Sequence, residues 1–256
     1  MTAIALKTPI NYYGGKVQLL PRLLPLIPEH KVYCEPFFGG GALFFAKEPC
    51  EVEFINDINK QVVNFYKVAK RQFKALKGEV DVTLYSEEQY LRARSIYFEK
   101  QQSDDVLRAW SLFLLSQQTF LHILDNSWAY SKTRNVAKTF TNKKAMFDER
   151  YVKRLENTQI FCRDAVRVIQ NADTIDTFHF IDPPYVGTDC GHYEGYTNED
   201  LVKLLNACEQ LEGKFLMTHF PDDTIKGYAE RNGWHQVEFL MHKSASEIQP
   251  KWRYLR

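Results

Sequence analysis

The chain has 256 residues, 45% hydrophobic and 25% charged, with 33 Lys/Arg against 32 Asp/Glu and a net charge of +1. This is ordinary globular composition, long enough for one large domain or one domain carrying a sizeable insertion. It excludes a membrane helix, since no run approaches ~20 apolar residues, and net charge alone does not mark a nucleic-acid binder.

Met1 to Ile10 lacks a secretory apolar region and cleavage site. Cys34, Cys50, Cys162, Cys190 and Cys208 are scattered, odd in number and without a C-x-x-C pair. A reducing cytoplasm and no structural zinc are therefore expected. The distribution of charge says more than its sum. Trp128–Arg167 holds ten Lys/Arg against four Asp/Glu, and Val168–Gly213 holds one Lys against nine Asp/Glu. A basic block beside an acidic one suggests a polyanion-facing surface next to a site of different chemistry, or simply a solvated face.

In chain order, Asn11-Tyr12-Tyr13-Gly14-Gly15-Lys16 comes first. Paired glycines permit a tight turn close to a ligand, the aromatics could stack on a ring, and Lys16 could meet a carboxylate. A plain surface turn would read the same way. Lys31–Glu35 is expected as a strand, followed by Pro36-Phe37-Phe38-Gly39-Gly40-Gly41 and a helical run. That is a strand, a Gly-rich turn and a helix, as in dinucleotide-type βα units, without the G-x-G-x-x-G spacing that would point to NAD.

Glu51–Ile55 is expected as a second strand, ending in Asn56-Asp57-Ile58-Asn59. A carboxylate about 20 residues beyond the glycine turn is placed to accept from a ribose diol. Asp57 fits that role, and equally fits an N-cap for a helix from Lys60. Gln61 to about Leu124 reads as mostly helical, with a capping-box pattern at Ser86-Glu87-Glu88-Gln89 and a helix start at Ser103-Asp104-Asp105. Val106, Leu107, Trp110, Phe113, Leu114 and Gln117 share a helical face there and are expected in the core.

Asp125–Lys144 has no period and reads as a loop, with Trp128, Tyr130 and Phe140 interleaved among Lys132, Arg134, Lys138, Lys143 and Lys144. Such chemistry can enter a DNA groove or belong to a flexible surface loop. Gln159–Cys162 is a short strand with Asp164 after it.

Phe178–Ile181 is an apolar run suited to a strand buried on both faces, stopped by Asp182-Pro183-Pro184-Tyr185. Asp182 then sits at a strand's carboxyl end, where open α/β sheets place their ligand crevice. The prolines stiffen the backbone and leave the Asp182 and Pro183 carbonyls without local donors. Acceptors on a rigid turn beside the Tyr185 ring could receive an amino group on a planar heterocycle. A Gly-containing loop, Val186–Tyr196, could close over a substrate. Thr197 caps a helix to about Leu211, and Lys214–Thr218 and Trp234–His242 are expected strands. Lys243–Arg256 is polar and mixed, with no apolar closing strand legible.

Taken in order, Asn-Tyr-Tyr-Gly-Gly-Lys, Glu-Pro-Phe-Phe-Gly-Gly-Gly-Ala, Asn-Asp-Ile-Asn and Asp-Pro-Pro-Tyr resemble the motifs of the Dam family of DNA adenine-N6 methyltransferases, from about Pro9 to at least Phe220. The resemblance implies an α/β Rossmann-like sheet formed by residues 1–59 and 151–256. A mainly helical target-recognition domain would be inserted over residues 60–150. It implies S-adenosylmethionine as donor, S-adenosylhomocysteine as product, and an adenine flipped from double-stranded DNA. No metal and no membrane are expected, and the protein is expected as a monomer, or a dimer on DNA. Residue by residue, Tyr12 and Lys16 would contact the cofactor, Glu35, Pro36, Phe37, Phe38 and Gly39 would surround its methionine part, Asp57 would hold its ribose, and Asp164 would lie near its adenine. Asp182 would border the cofactor and, with the Pro183 carbonyl, accept from the target amino group beside Pro184, with Tyr185 stacking on the base. The segment from Phe120 onward does not match the family's usual recognition hairpin, so no target sequence follows. Three alternatives stay open: a cytosine-N4 methyltransferase, although such relatives tend to carry Ser at the position of Asp182; an RNA or protein methyltransferase; and an inactive DNA-binding relative.

Overall fold

The computed structural model describes residues 6–98, 103–186, 195–243 and 247–255. Among them the strands are β1 (Val32–Glu35), β2 (Val52–Asn56), β3 (Thr158–Phe161), β4 (Thr177–Ile181), β5 (Lys214–His219), β6 (His235–Lys243) and β7 (Glu247–Leu255). The helices are α1 (Leu20–Leu23), α2 (Ala42–Ala46), α3 (Lys60–Arg71), α4 (Phe73–Val82), α5 (Glu87–Phe98), α6 (Asp105–Gln118), α7 (Val136–Met146), α8 (Arg150–Leu155), α9 (Ala165–Ala172), α10 (Asn198–Glu209) and α11 (Asp223–Asn232). They fall into two compact units.

One unit comprises Pro25–Phe38, Cys50–Asn56 and Arg163–Arg256. Its strands run in the order β2-β1-β4-β5-β7-β6. The pairs β1–β2, β1–β4 and β4–β5 are parallel, while β7 pairs antiparallel with both β5 and β6. β4 is buried at all five positions, as its unbroken apolar run requires of a parallel strand covered on both faces. α9 packs against β1 and β2, and α10 packs against α9 and α11. Leu201, Leu204, Leu205, Phe215, Met217 and Trp234 form a continuous apolar core there. Within this core layer His179 is fully buried, with Nε2 at 3.2 Å from Asp173 Oδ1, and burial depresses its pKa. From β1 the order runs outward to β2 on one side and to β4 and β5 on the other. The carboxyl ends of β1 and β4 therefore flank the topological switch point.

The closing strand that the sequence did not reveal is β7, inserted between β5 and β6, with Leu216 opposite Leu255 and Lys243 opposite Glu247. Its polar residues and Pro250 disguised it, because an apolar run was the signal sought.

The other unit comprises Met1–Leu24, Gly39–Pro49 and Asp57–Cys162. α6 is its axis and packs against α3, α4 and α5. The single apolar face expected of α6 is too narrow a description. Ala109 through Ser116 are all buried, so the helix is enclosed on every side. Asp104 caps it by accepting from Leu107 N at 2.8 Å. Phe113 of α6 stacks on Phe65, which stacks in turn on Phe147.

The stretch 125–144 is not one loop. Asn135 caps α7 by accepting from Lys138 N at 2.8 Å, and Phe140 on α7 is buried against Tyr85 and Phe113. A single apolar anchor in a basic helix leaves little periodicity to read. Before α7, residues 118–129 fold back on themselves. Thr119 bridges Trp128, Phe120 N donates to Ser127 O at 2.9 Å, and Ala129 N donates to Gln118 O at 2.8 Å. The turn so formed is hairpin-like, closed by that single bridge. Leu121 and His122 both adopt left-handed backbone, φ 57° and 59°. Two such residues without glycine store on the order of 1–3 kcal/mol each. The turn is held by α5, from which Tyr90 OH donates to Asn126 O and Arg94 donates to Asp125 O at 2.6 Å.

Candidate active site

In the sheet-containing unit, the ends of β1 and β4 carry the predicted residues. Glu35 closes β1 with its side chain buried, and its Oε2 accepts from Tyr33 OH at 2.7 Å, two residues back on the same face. Pro36 follows, with its carbonyl accepting from Asn56 Nδ2 at 2.9 Å. The same Asn56 amide donates to Arg163 O at 3.0 Å and accepts from Arg163 N at 2.9 Å. Phe38 N donates to Asn56 O at 2.9 Å. One buried asparagine thus fixes the turns after β1 and before α9, a role that sequence reading missed by stopping at its neighbour Asp57. Phe37 meets Tyr196 edge to face at 6.4 Å. Asp164 is exposed and caps α9, accepting from Arg167 N at 3.1 Å.

Asp182 follows β4 directly. Its Oδ1 accepts from Thr218 Oγ1 at 2.5 Å and from Tyr185 OH at 3.3 Å. Two hydroxyls on one oxygen fix the carboxylate's rotation. Thr218 was not among the predicted residues; its signal is a polar pair, Thr218-His219, ending the apolar run of β5 next to β4. The Tyr185 ring meets His219 and Phe220, each edge to face, with ring centroids 4.8 Å and 4.6 Å away. Pro183 is buried and Pro184 half-buried, and no described residue donates to the Pro183 carbonyl. Most of the expected covering loop, 187–194, lies outside the described residues.

The helical unit carries the remaining motif residues. Gly39 has φ +47°, and a Cβ there would lie 2.9 Å from Cδ1 of Tyr12. Glycine is required both for that backbone conformation and for contact with the ring. Gly39 N donates to Asp57 Oδ2 at 2.7 Å, and Asn59 N donates to Asp57 Oδ1 at 2.8 Å. Burial pushes the Asp57 carboxyl up to about 6, against the lowering effect of those two N–H donors. The cap of α3 is Asn59, not Asp57: Asn59 Oδ1 accepts from Gln61 N at 2.9 Å. Asp57 is therefore a buried carboxylate whose place is not explained by capping a helix. Lys16 is buried and donates to Gly14 O at 2.6 Å.

The basic residues separate by environment. Lys132, Arg134 and Lys138 are exposed. Lys144 donates to the carbonyls of Asp81 and Thr83, at 3.0 and 2.7 Å, which ties α7 to the end of α4. Lys143 reaches Asn11 Oδ1 at 3.5 Å, and burial followed by the neighbouring Lys7 charge lowers its pKa. Among the described residues no group of three His, Cys, Asp or Glu side chains gathers as a metal site, and no helix is long and apolar enough to cross a membrane.

A mainly parallel sheet with a carboxylate turn at its switch point is the class of α/β fold that places a ligand crevice outside the carboxyl ends of its strands. The chain belongs to the family of D12 class N6 adenine-specific DNA methyltransferases, whose model matches residues 12–240. It is 27% identical, over 92% of its length, to a DNA N-6-adenine-methyltransferase of Escherichia phage P1, of which it covers 33%. It is 27% identical to a type II methyltransferase of Lactococcus lactis subsp. cremoris, with 82% of this chain and 79% of that protein covered. It is 26% identical to a DNA adenine methylase of Vibrio cholerae, with 69% and 64% covered. The chain thus spans about a third of the phage protein's length and most of the Lactococcus protein's.

Proposed function

We propose that this chain transfers a methyl group from S-adenosylmethionine to the N6 amino group of adenine at a specific site in double-stranded DNA. The observation that carries the reading is Asp182, held by Thr218 and Tyr185 at the end of β4 beside the carboxyl end of β1. S-adenosylmethionine supplies the methyl group on a sulfonium. The donor set fits such a cofactor: Gly39 leaves no room for a side chain beside Tyr12, and Asp57 is a buried carboxylate suited to a diol. Glu35, Pro36, Phe37, Phe38 and Gly39 would hold its methionine part, with Tyr12 and Lys16. Asp57 would hold its ribose, and Asp164 would lie towards its adenine.

The amino group of adenine is a poor nucleophile because its lone pair is delocalised into the ring. The Asp182 carboxylate and the Pro183 carbonyl would accept hydrogen bonds from its two N–H groups, which favours tetrahedral nitrogen and frees the lone pair. Tyr185 offers its ring to the flipped base, with Pro184 stiffening the turn between them. Holding nitrogen and methyl in line supplies the proximity term. No covalent enzyme intermediate is needed, and burial pushes the Cys34 and Cys208 thiols up, away from thiolate chemistry.

Residues 60–150 act as the target-recognition region. Lys132, Arg134 and Lys138 meet the DNA, near a strained turn that exposes Phe120 and Leu121 as apolar contacts. Replacing these three cations with alanine should weaken duplex binding and flatten its salt dependence, by about 0.9 in log–log slope per lost phosphate contact. Lys144→Ala should leave that slope unchanged, because its ammonium is already engaged with backbone carbonyls. Salt titrations of binding to one duplex check both; an unaltered slope in the triple variant would move the DNA face elsewhere. The function itself is tested by treating unmodified genomic DNA with the protein and mapping modified adenines by sequencing. Modification at a recurrent short sequence supports the reading, and unmodified adenines throughout contradict it.

A further inference from the structure

Asp57, Gly39, Tyr12 and Asn59 close a ring of contacts. Gly39 N and Asn59 N both donate to the Asp57 carboxylate, the Tyr12 ring lies against Gly39, and Asn59 Nδ2 donates to Tyr12 OH at 3.3 Å. A further member of this network comes from outside the motifs. Tyr97, in the last turn of α5, accepts from the same Asn59 Nδ2 at 3.0 Å. Burial, opposed by that amide and reinforced by the nearby Asp57 charge, pushes its phenol up to about 12, so it is a neutral hydroxyl at working pH. Asn59 cannot turn away, because its Oδ1 is committed to capping α3 at Gln61 N. With the amide oxygen fixed, its nitrogen must find acceptors, and two phenols supply them.

We propose that Tyr97 is a positioning residue for the cofactor turn: by accepting from Asn59 it locks the amide that holds Tyr12 against Gly39 and thereby presets the Asp57 cradle for S-adenosylmethionine. The proposal rests on the cofactor reading above. It gives the recognition helices a part in cofactor binding, since α5 also anchors the strained turn through Tyr90 and Arg94, at most two helical turns from Tyr97.

The test is calorimetric titration of the full chain with S-adenosylmethionine, together with steady-state kinetics. Tyr97→Phe removes the acceptor and keeps the ring that packs on Phe98. Its cofactor Kd should rise ~5- to 10-fold, as for one lost hydrogen bond in a preset site. KM for S-adenosylmethionine should rise equally, with kcat and KM for DNA unchanged. Arg94→Ala, on the same helix, should leave the cofactor Kd at the wild-type value. In an Asn59→Ser background, which retains an N-cap residue too short to reach either phenol, Tyr97→Phe should add nothing. An unchanged Kd in Tyr97→Phe, an equal rise in Arg94→Ala, or full additivity with Asn59→Ser would overturn the proposal while leaving the cofactor reading intact. A wild-type protein that binds no S-adenosylmethionine would remove both.

Discussion

Replacing Asp182 by alanine should lower methyl transfer by ~10²-fold or more, the usual cost of removing a preorganised polar contact from a reacting centre. The protein should keep its fold. Asp182 is half-buried, and the side chains that donate to its Oδ1, Thr218 and Tyr185, are hydroxyls, so neither is left as a buried charge without its counter-ion. Cofactor affinity should change far less than the rate. Asp182→Asn should retain part of the activity, because one oxygen still accepts. Single-turnover rates on a saturated duplex check this, with thermal unfolding as the control. Near wild-type turnover in a folded Asp182→Ala protein would remove the residue from the mechanism.

The second large effect is expected at Asp57. On the proposed reading Asp57 accepts charged hydrogen bonds from two ribose hydroxyls, ~1.5–3 kcal/mol each, so alanine there should lower cofactor affinity ~10²-fold or more while duplex affinity moves little. The pH dependence has a definite sign. The carboxyl of the folded protein is pushed up to about 6 from the ordinary 3.8, and the ionised form is the one that would accept from a diol. Cofactor affinity should therefore be level from pH 7 to 8 and about tenfold weaker at pH 5. The stability of the cofactor-free protein should respond oppositely at this group. A raised folded-state pKa means the folded chain binds the proton more tightly, so the Asp57 contribution favours folding increasingly as pH falls from about 6 towards 3.8. Calorimetry across pH, repeated with Asp57→Ala, separates the two. A variant with the wild-type Kd at pH 7.5 would reduce Asp57 to a structural carboxylate.

Much of the sheet was legible because parallel strands buried on both faces must be apolar: Phe178–Ile181 stands out in the sequence, and β4 is buried throughout. The turn after it was legible for a different reason, since two prolines force the strand to end. What escaped notice was set by partners remote in sequence. Thr218 is an ordinary strand residue until the pairing of β4 with β5 brings it to Asp182. Asn56 and Asn59 flank the more conspicuous Asp57, and their work is done by amides spanning several turns. α7 was hidden because tertiary packing of Phe140, rather than a periodic apolar stripe, holds it. β7 was hidden because Ile248, Trp252 and Tyr254 alternate with polar residues around Pro250, a weaker signal than an apolar run. The basic residues show the limit of composition: Lys143 and Lys144 look like Lys132 and Lys138 in the sequence, yet both sit against polar groups of their own unit.

The most direct test is the chemical identity of the methylated product. The protein is incubated with S-adenosylmethionine labelled in its methyl group and with unmodified duplex DNA, matched RNA and a protein mixture in separate reactions. The nucleic acids are then digested to nucleosides and separated. The label should appear in N6-methyldeoxyadenosine from duplex DNA, and its initial rate of appearance should fall ~10²-fold or more in Asp182→Ala, which should still bind the cofactor. Label in N4-methyldeoxycytidine, in RNA or in protein, with none in deoxyadenosine, would contradict the account.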